Sequence, residues 1–298
     1  MAEIEQFAYG WINPVVSYVI AAFGCAIGLI CTARAREARA GAHREKWLVL
    51  GALAIGGTGI WPMHFIAMLG FDVPGSIVRY DVSLTTASAL IAVLAVGIGL
   101  FIVGHGQASL LRIMLGGIFA GLGVAAMHYT GMAAMRVGGS IAYDPVVFTA
   151  SVLIAVVASA VALWFTVNVR GWGPIVVAAL IMGVAVVGMH YTAMFGVEVH
   201  LHRIDGPVDG VNPFLLVAPI TLLVSCALVG LIFSVLAPPA EDEADIVAGL
   251  SPLSDLPPER AGALLPRRVA RSTPPASRPL ARPAASPRPA PSRPLRTP

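Results

Sequence analysis

Seven long apolar stretches decide what this chain can fold into. They lie near residues 13–32, 47–69, 82–103, 112–135, 146–169, 174–196 and 213–236, and none carries Asp, Glu, Lys or Arg in its interior. A helix needs about 20 residues to cross a ~30 Å hydrocarbon core, and each stretch is of that order. Backbone N–H and C=O groups in lipid must be satisfied within the segment or in a closed barrel. Runs this long and continuous are not barrel strands, so they read as helices. The expected fold is all-α, a seven-transmembrane helical bundle. Composition agrees, with 12% charged residues, 57% hydrophobic residues and a mean hydropathy of +0.82, where soluble domains carry roughly 25% charge.

Basic residues orient the bundle. The segments after the first, third and fifth stretches carry Arg34, Arg36, Arg39, Arg44, Lys46, Arg112 and Arg170, against Arg79, Arg136 and Arg203 on the other side. The positive-inside rule then puts the N-terminus outside and the C-terminus in the cytoplasm. The N-terminus opens with Glu3 and Glu5, not a basic region, so it does not read as a cleaved signal peptide. Residues 237–298 hold 15 of the 23 prolines and 9 arginines against 6 acids, which accounts for the whole net charge of +3. They read as a disordered, Pro/Arg-rich cytoplasmic tail whose basic end suits anionic lipid or a cytoplasmic partner. The rest of the chain is electrically balanced, so the basic pI implies no nucleic acid. Cys25, Cys31 and Cys226 are dispersed in apolar runs and read as buried small hydrophobes, not a disulfide framework.

Within residues 1–236 one pattern occurs three times: Met63-His64-Phe65-Ile66-Ala67-Met68, Met127-His128-Tyr129-Thr130-Gly131-Met132 and Met189-His190-Tyr191-Thr192-Ala193-Met194. The histidines are 64 and then 62 residues apart, which marks an internal repeat with units near 47–103, 112–169 and 174–236. Each histidine lies 16 to 18 residues beyond the inner edge of its helix at Lys46, Arg112 or Pro174. At 1.5 Å per residue this is about 24–27 Å up the helix, so all three share one depth near the outer face. Gly57, Gly121 and Gly183 precede the motifs by a fixed six residues. Small residues allow close helix approach, so the second, fourth and sixth helices are expected to pack on one another below the motifs. Pro62 is expected to kink the second helix.

Apart from cysteine, His64, His128 and His190 are the ionisable groups well inside the spans, and such residues point to function by default. Met68, Met132 and Met194 follow their histidines by four residues and share their helix face, while Met63, Met127 and Met189 can lean in. Three imidazoles with several thioethers form a soft to borderline donor set that favours copper, especially Cu(I). Zinc accepts the imidazoles but gains little from methionine. Haem needs two opposed ligands and a wide pocket, which three equivalent sites do not supply. The bland alternative is a hydrogen-bonded core histidine amid gap-filling methionines. Tyr129 and Tyr191 read as packing groups, because Phe65 replaces them in the first copy. His200 and His202 stand in the following outer loop, where they could cap a metal at the mouth.

On these motifs the chain, over residues 13 to about 236, resembles the MHYT family of bacterial integral membrane sensor proteins. Its first copy departs from that motif at Phe65 and Ile66. The resemblance implies a multi-pass protein of the bacterial inner membrane that binds copper through the motif's Met and His residues. It also implies oxygen, carbon monoxide or nitric oxide as the signal, in signal transduction. Many relatives carry a cytoplasmic output domain. None is legible here, and the membrane helices hold no carboxylate or lysine for catalysis, pumping or a retinal Schiff base, so the expectation is a protein that is not an enzyme. Copper transport or delivery, or partnership in assembling a copper-containing respiratory enzyme, is the alternative to sensing.

Overall fold

The computed structural model describes residues 3–38, 41–106, 109–202 and 208–236, and the expected tail at 237–298 lies outside the described residues. Six helices are long and apolar enough to cross a membrane: α1 (Ile12–Glu37), α2 (Ala42–Met68), α3 (Val82–Gly104), α4 (Leu110–Ala134), α5 (Pro145–Asn168) and α6 (Trp172–Phe195). The seventh expected span is the helix α7 (Pro213–Leu236), which has Pro219 inside it. Six spans are thus shown among the described residues, and the expected seventh is not among them.

The helix starts follow local chemistry. Asp81 accepts from the Leu84 N–H at 3.0 Å and begins α3. Ser109 accepts from the Arg112 N–H at the start of α4. Asp144 accepts from Val146 and Val147, with Pro145 at the first position of α5. These side chains satisfy N–H groups that a helix start otherwise leaves open.

From α1 to α6 each helix packs on the next, and α6 packs back on α1, so the six close a ring in sequence order. The three motif helices α2, α4 and α6 therefore alternate with α1, α3 and α5. This corrects the expected glycine packing. A Cβ on Gly57 would meet Val93 of α3 at 3.2 Å, and one on Gly183 would meet Ala22 of α1 at 3.1 Å. A Cβ on Gly121 would run into the backbone of Val156 on α5. The glycines join each motif helix to an intervening helix, because a six-membered ring keeps alternate helices apart below the motifs.

Helix α2 changes its winding instead of simply kinking at Pro62. Residues Leu53–Ile60 are a π-helix, and the Trp61 N–H donates to Gly56 O, five residues back. Proline has no N–H for the ladder, so a registry change just upstream of Pro62 costs little there. Gly56 and Gly59 on this segment let α3 and α1 approach closely: a Cβ on Gly56 would lie 2.7 Å from Ala92 O. Such π segments inside α-helices are rare and recur at functional sites.

Four short strands, absent from the all-α expectation, tie the far ends of the motif helices together. β1 (Arg79–Tyr80) pairs antiparallel with β2 (Met135–Arg136), and β3 (Gly139–Tyr143) with β4 (Val197–Leu201). The N-terminal segment joins the same end. Glu5 and Asp72 exchange backbone hydrogen bonds, and the Ala8 N–H donates to Gly70 O at 2.9 Å.

Candidate metal centre

Three motifs on three helices become one cluster because the histidines stand at matching distances from their helix ends. His64 lies four residues before the end of α2, His128 six before the end of α4, and His190 five before the end of α6. All three side chains are closed to solvent, at 0%, 1% and 1% exposure. His64 Nδ1 is 3.1 Å from His190 Nδ1, and His190 Nδ1 is 3.3 Å from His128 Nδ1. The ring planes cross steeply, at 77° to 79°, so three Nδ1 edges face one point.

That arrangement leaves hydrogen bonding incomplete. A neutral imidazole nitrogen carries either one proton or one lone pair. His190 Nδ1 can therefore complete one of its two contacts, not both. His64 Nε2 and His128 Nε2 are also buried without a protein partner, which costs free energy in a protein interior. The bland reading of hydrogen-bonded core histidines is met only in part, because two Nε2 atoms have no protein partner. Three nitrogens each at about 2.0–2.1 Å from one ion would stand about 3.3–3.6 Å apart. The observed spacing is close to that, and one ligand atom from each histidine lies within 4.8 Å of the others. The donor set thus fits a single metal ion. Among the described residues it is the one cluster of histidine, cysteine and carboxylate groups with that geometry.

Met63, Met68, Met127, Met132, Met189 and Met194 are all buried, at 0–3% exposure. His200 is on β4 with its Nε2 3.8 Å from Glu198 Oε2, and neither it nor His202 joins the cluster. The tyrosines are supports: Tyr129 Oη lies 2.7 Å from Ser151 Oγ on α5, and Tyr191 stacks on Phe7. Sequence reasoning missed several residues that hold the site. A Cβ on Gly131 would strike His64 Nε2, so the small position of the second motif exists to seat the first histidine. Gln6 donates to Met194 O at 2.9 Å and Asn13 to Ile66 O at 3.0 Å, which clamps the N-terminal segment over two motifs. The one signal for Asn13 was a polar residue at the mouth of an apolar run.

Fold and site together define a multi-pass membrane protein with a buried three-histidine cluster. The family described as "Bacterial signalling protein N terminal repeat", MHYT, matches residues 57–116 and 121–179, and the chain belongs to it. Among its relatives, the Pseudomonas aeruginosa bifunctional diguanylate cyclase/cyclic di-GMP phosphodiesterase MucR is 39% identical over 228 residues, 74% of this chain and 32% of MucR. The cyclic di-GMP phosphodiesterase NbdA of the same organism is 40% identical over 158 residues, 51% of this chain and 20% of NbdA. The Bacillus subtilis signaling protein YkoW is 31% identical over 205 residues, 65% of this chain and 25% of YkoW. The chain spans a third or less of the length of these curated relatives. No solved structure matches it.

These relatives correct one expectation. The chain was expected not to be an enzyme because its membrane helices lack catalytic groups. MucR and NbdA, which share this membrane region, are named as enzymes of cyclic di-GMP. The chemistry of the helices therefore says nothing against catalysis in a protein that carries them, and the exclusion does not stand.

Proposed function

We propose that this domain is a membrane-embedded sensor in which His64, His128 and His190 hold one copper ion near the outer face of the membrane. Met63, Met68, Met127, Met132, Met189 and Met194 supply the surrounding thioethers. The observation that carries the reading is the convergence of three Nδ1 atoms, 3.1 and 3.3 Å apart, in a site closed to water. Thioether and imidazole donors favour Cu(I) over harder ions. Copper held there would supply an open coordination position for a diatomic gas (oxygen, carbon monoxide or nitric oxide), or a redox change.

The protein's own residues hold the imidazoles in register, exclude water and couple the ring to α2, α4 and α6. The basic loops orient the domain with its N-terminus outside, α7 completes a seventh span to a cytoplasmic C-terminus, and three repeats of about 47–103, 112–169 and 174–236 build it. The named activities of MucR and NbdA suggest that the output concerns cyclic di-GMP. Copper transport fits less well: among the described residues no second cluster of histidine, cysteine and carboxylate groups stands below the histidines.

Elemental analysis of the purified chain tests the reading. One copper per chain, lost in a His64→Ala/His128→Ala/His190→Ala variant that still folds, is the expected result. Absence of stoichiometric copper, or copper unchanged in the triple variant, overturns it. Spectra with and without carbon monoxide then test the gas.

A further inference from the structure

Beneath the histidine ring the bundle is hollow. A cavity of about 60 Å³ is lined from all six ring helices. Its upper wall includes Ile60, Val124 and Val186, and each stands four residues before one of the three histidines. One helical turn is about 5.4 Å, so the cavity lies directly below the imidazoles on the inside of the ring. Met189, next to His190, lines it as well.

The lining is almost wholly apolar. Of its few polar groups, Thr166 already donates to Leu163 O at 2.7 Å. A buried water needs two to four polar partners, and apolar cavities without them stay dry and take up apolar guests such as xenon. A second hollow, of about 440 Å³, runs along the outer surface between α5 and α6. Leu153 and Val157 on its α5 wall are 60% and 62% exposed, on the surface that a membrane helix turns to lipid. The two spaces share Ala158, Met182 and Ala185. The inner cavity and the lipid-facing hollow thus adjoin at two alanines and one flexible thioether.

We propose that this cavity is a binding site for a small, uncharged, apolar molecule, which enters sideways from the bilayer between α5 and α6, past Met182. As the delivery path of the proposed sensor the inference rests on that reading, while the cavity and its route exist without any metal. The route favours molecules that concentrate in hydrocarbon and excludes hydrated ions, which an apolar seam cannot solvate.

The test uses the full chain, stripped of metal, in phosphatidylcholine nanodiscs, with xenon as the probe and xenon NMR as the readout. The wild type is expected to bind xenon saturably. Ala185→Phe and Ala158→Leu, which fill the seam from its two sides, are expected to abolish that binding. Val184→Phe, on the lipid face of the same helix at 61% exposure, is expected to leave it unchanged. Met182→Ala shortens the separating side chain and is expected to speed xenon exchange, which decides the matter even where the filling variants do not fold. No saturable binding in the wild type, or binding and exchange indifferent to all three seam variants, overturns the inference. Copper content measured on separate loaded samples keeps the two readings apart. Copper without xenon binding removes the cavity site alone, and xenon binding without copper removes the metal reading alone.

Discussion

His190 Nδ1 faces both other ring nitrogens, at 3.1 and 3.3 Å, and has one proton or one lone pair to offer them. A cation satisfies all three nitrogens at once, where protons satisfy them only in part. The proposed reading is therefore one shared ion rather than three separate ones. Replacing any one of His64, His128 or His190 by alanine is therefore expected to weaken the binding of the single ion, and a metal titration that still shows intact independent sites contradicts the shared ring. Gly131→Ala tests the seating of the ring without removing a ligand. Its Cβ would strike His64 Nε2, and metal affinity is expected to fall about 10–100-fold, the usual effect of disturbing the groups that orient a ligand. Tyr129→Phe is the contrasting case: it loses the hydrogen bond to Ser151, costs about 0.5–1.5 kcal/mol of stability, and leaves copper content unchanged. Histidine depth was legible in the chain, because a constant rise per residue converts spacing into height. The Nδ1 contacts were not, since they depend on rotamers and on how far apart the helices stand.

At the scale of elements, lipid made the helices legible. A span must be long and uncharged, and the ends of α2 to α6 fall within a few residues of their expected places. Which helices touch was not legible, because glycine announces close approach without naming its partner. The second, fourth and sixth helices carry glycines in register, yet Gly57, Gly121 and Gly183 face α3, α5 and α1. Gly121→Val is expected to destabilise the α4–α5 contact by about 1–3 kcal/mol, the cost of overpacking a close interface, as a lower thermal midpoint in nanodiscs. At the strand-bearing end, the Leu84 N–H and then Arg136 hold the Asp81 carboxyl below its ordinary value of 3.8. A depressed carboxyl contributes stability that is present above the ordinary value and lost as pH falls through the folded one. The thermal midpoint is expected to drop as pH falls below about 5, and less so in Asp81→Asn, which keeps a helix-capping side chain but does not titrate. Equal drops in both proteins would remove Asp81 from the account.

Across the whole molecule, the closed ring of six helices brings three repeats to one point that no repeat could build alone. The motif helices barely meet below the histidines, and the strands and the N-terminal segment hold their ends together above them. A metal at the ring joins α2, α4 and α6 directly at the level where they come together. Its binding should act on all three at once, because each supplies one nitrogen to the same centre. Hydrogen exchange followed by mass spectrometry, with and without copper, reads this out. Residues near 66–70, 132–136 and 194–198 are expected to gain protection together, while the lower halves of α3 and α5 change little. Those three stretches are where a bound ion removes independent motion, and the opening of a small local unit is what exchange detects. Protection at one helix end only would mean that the ion sits on one repeat. Protection spread evenly over the bundle would mean that it acts by general stabilisation of the fold. Only concerted protection at the three ends gives the domain a means of turning occupancy of a buried site into movement of helices that reach the opposite face of the membrane.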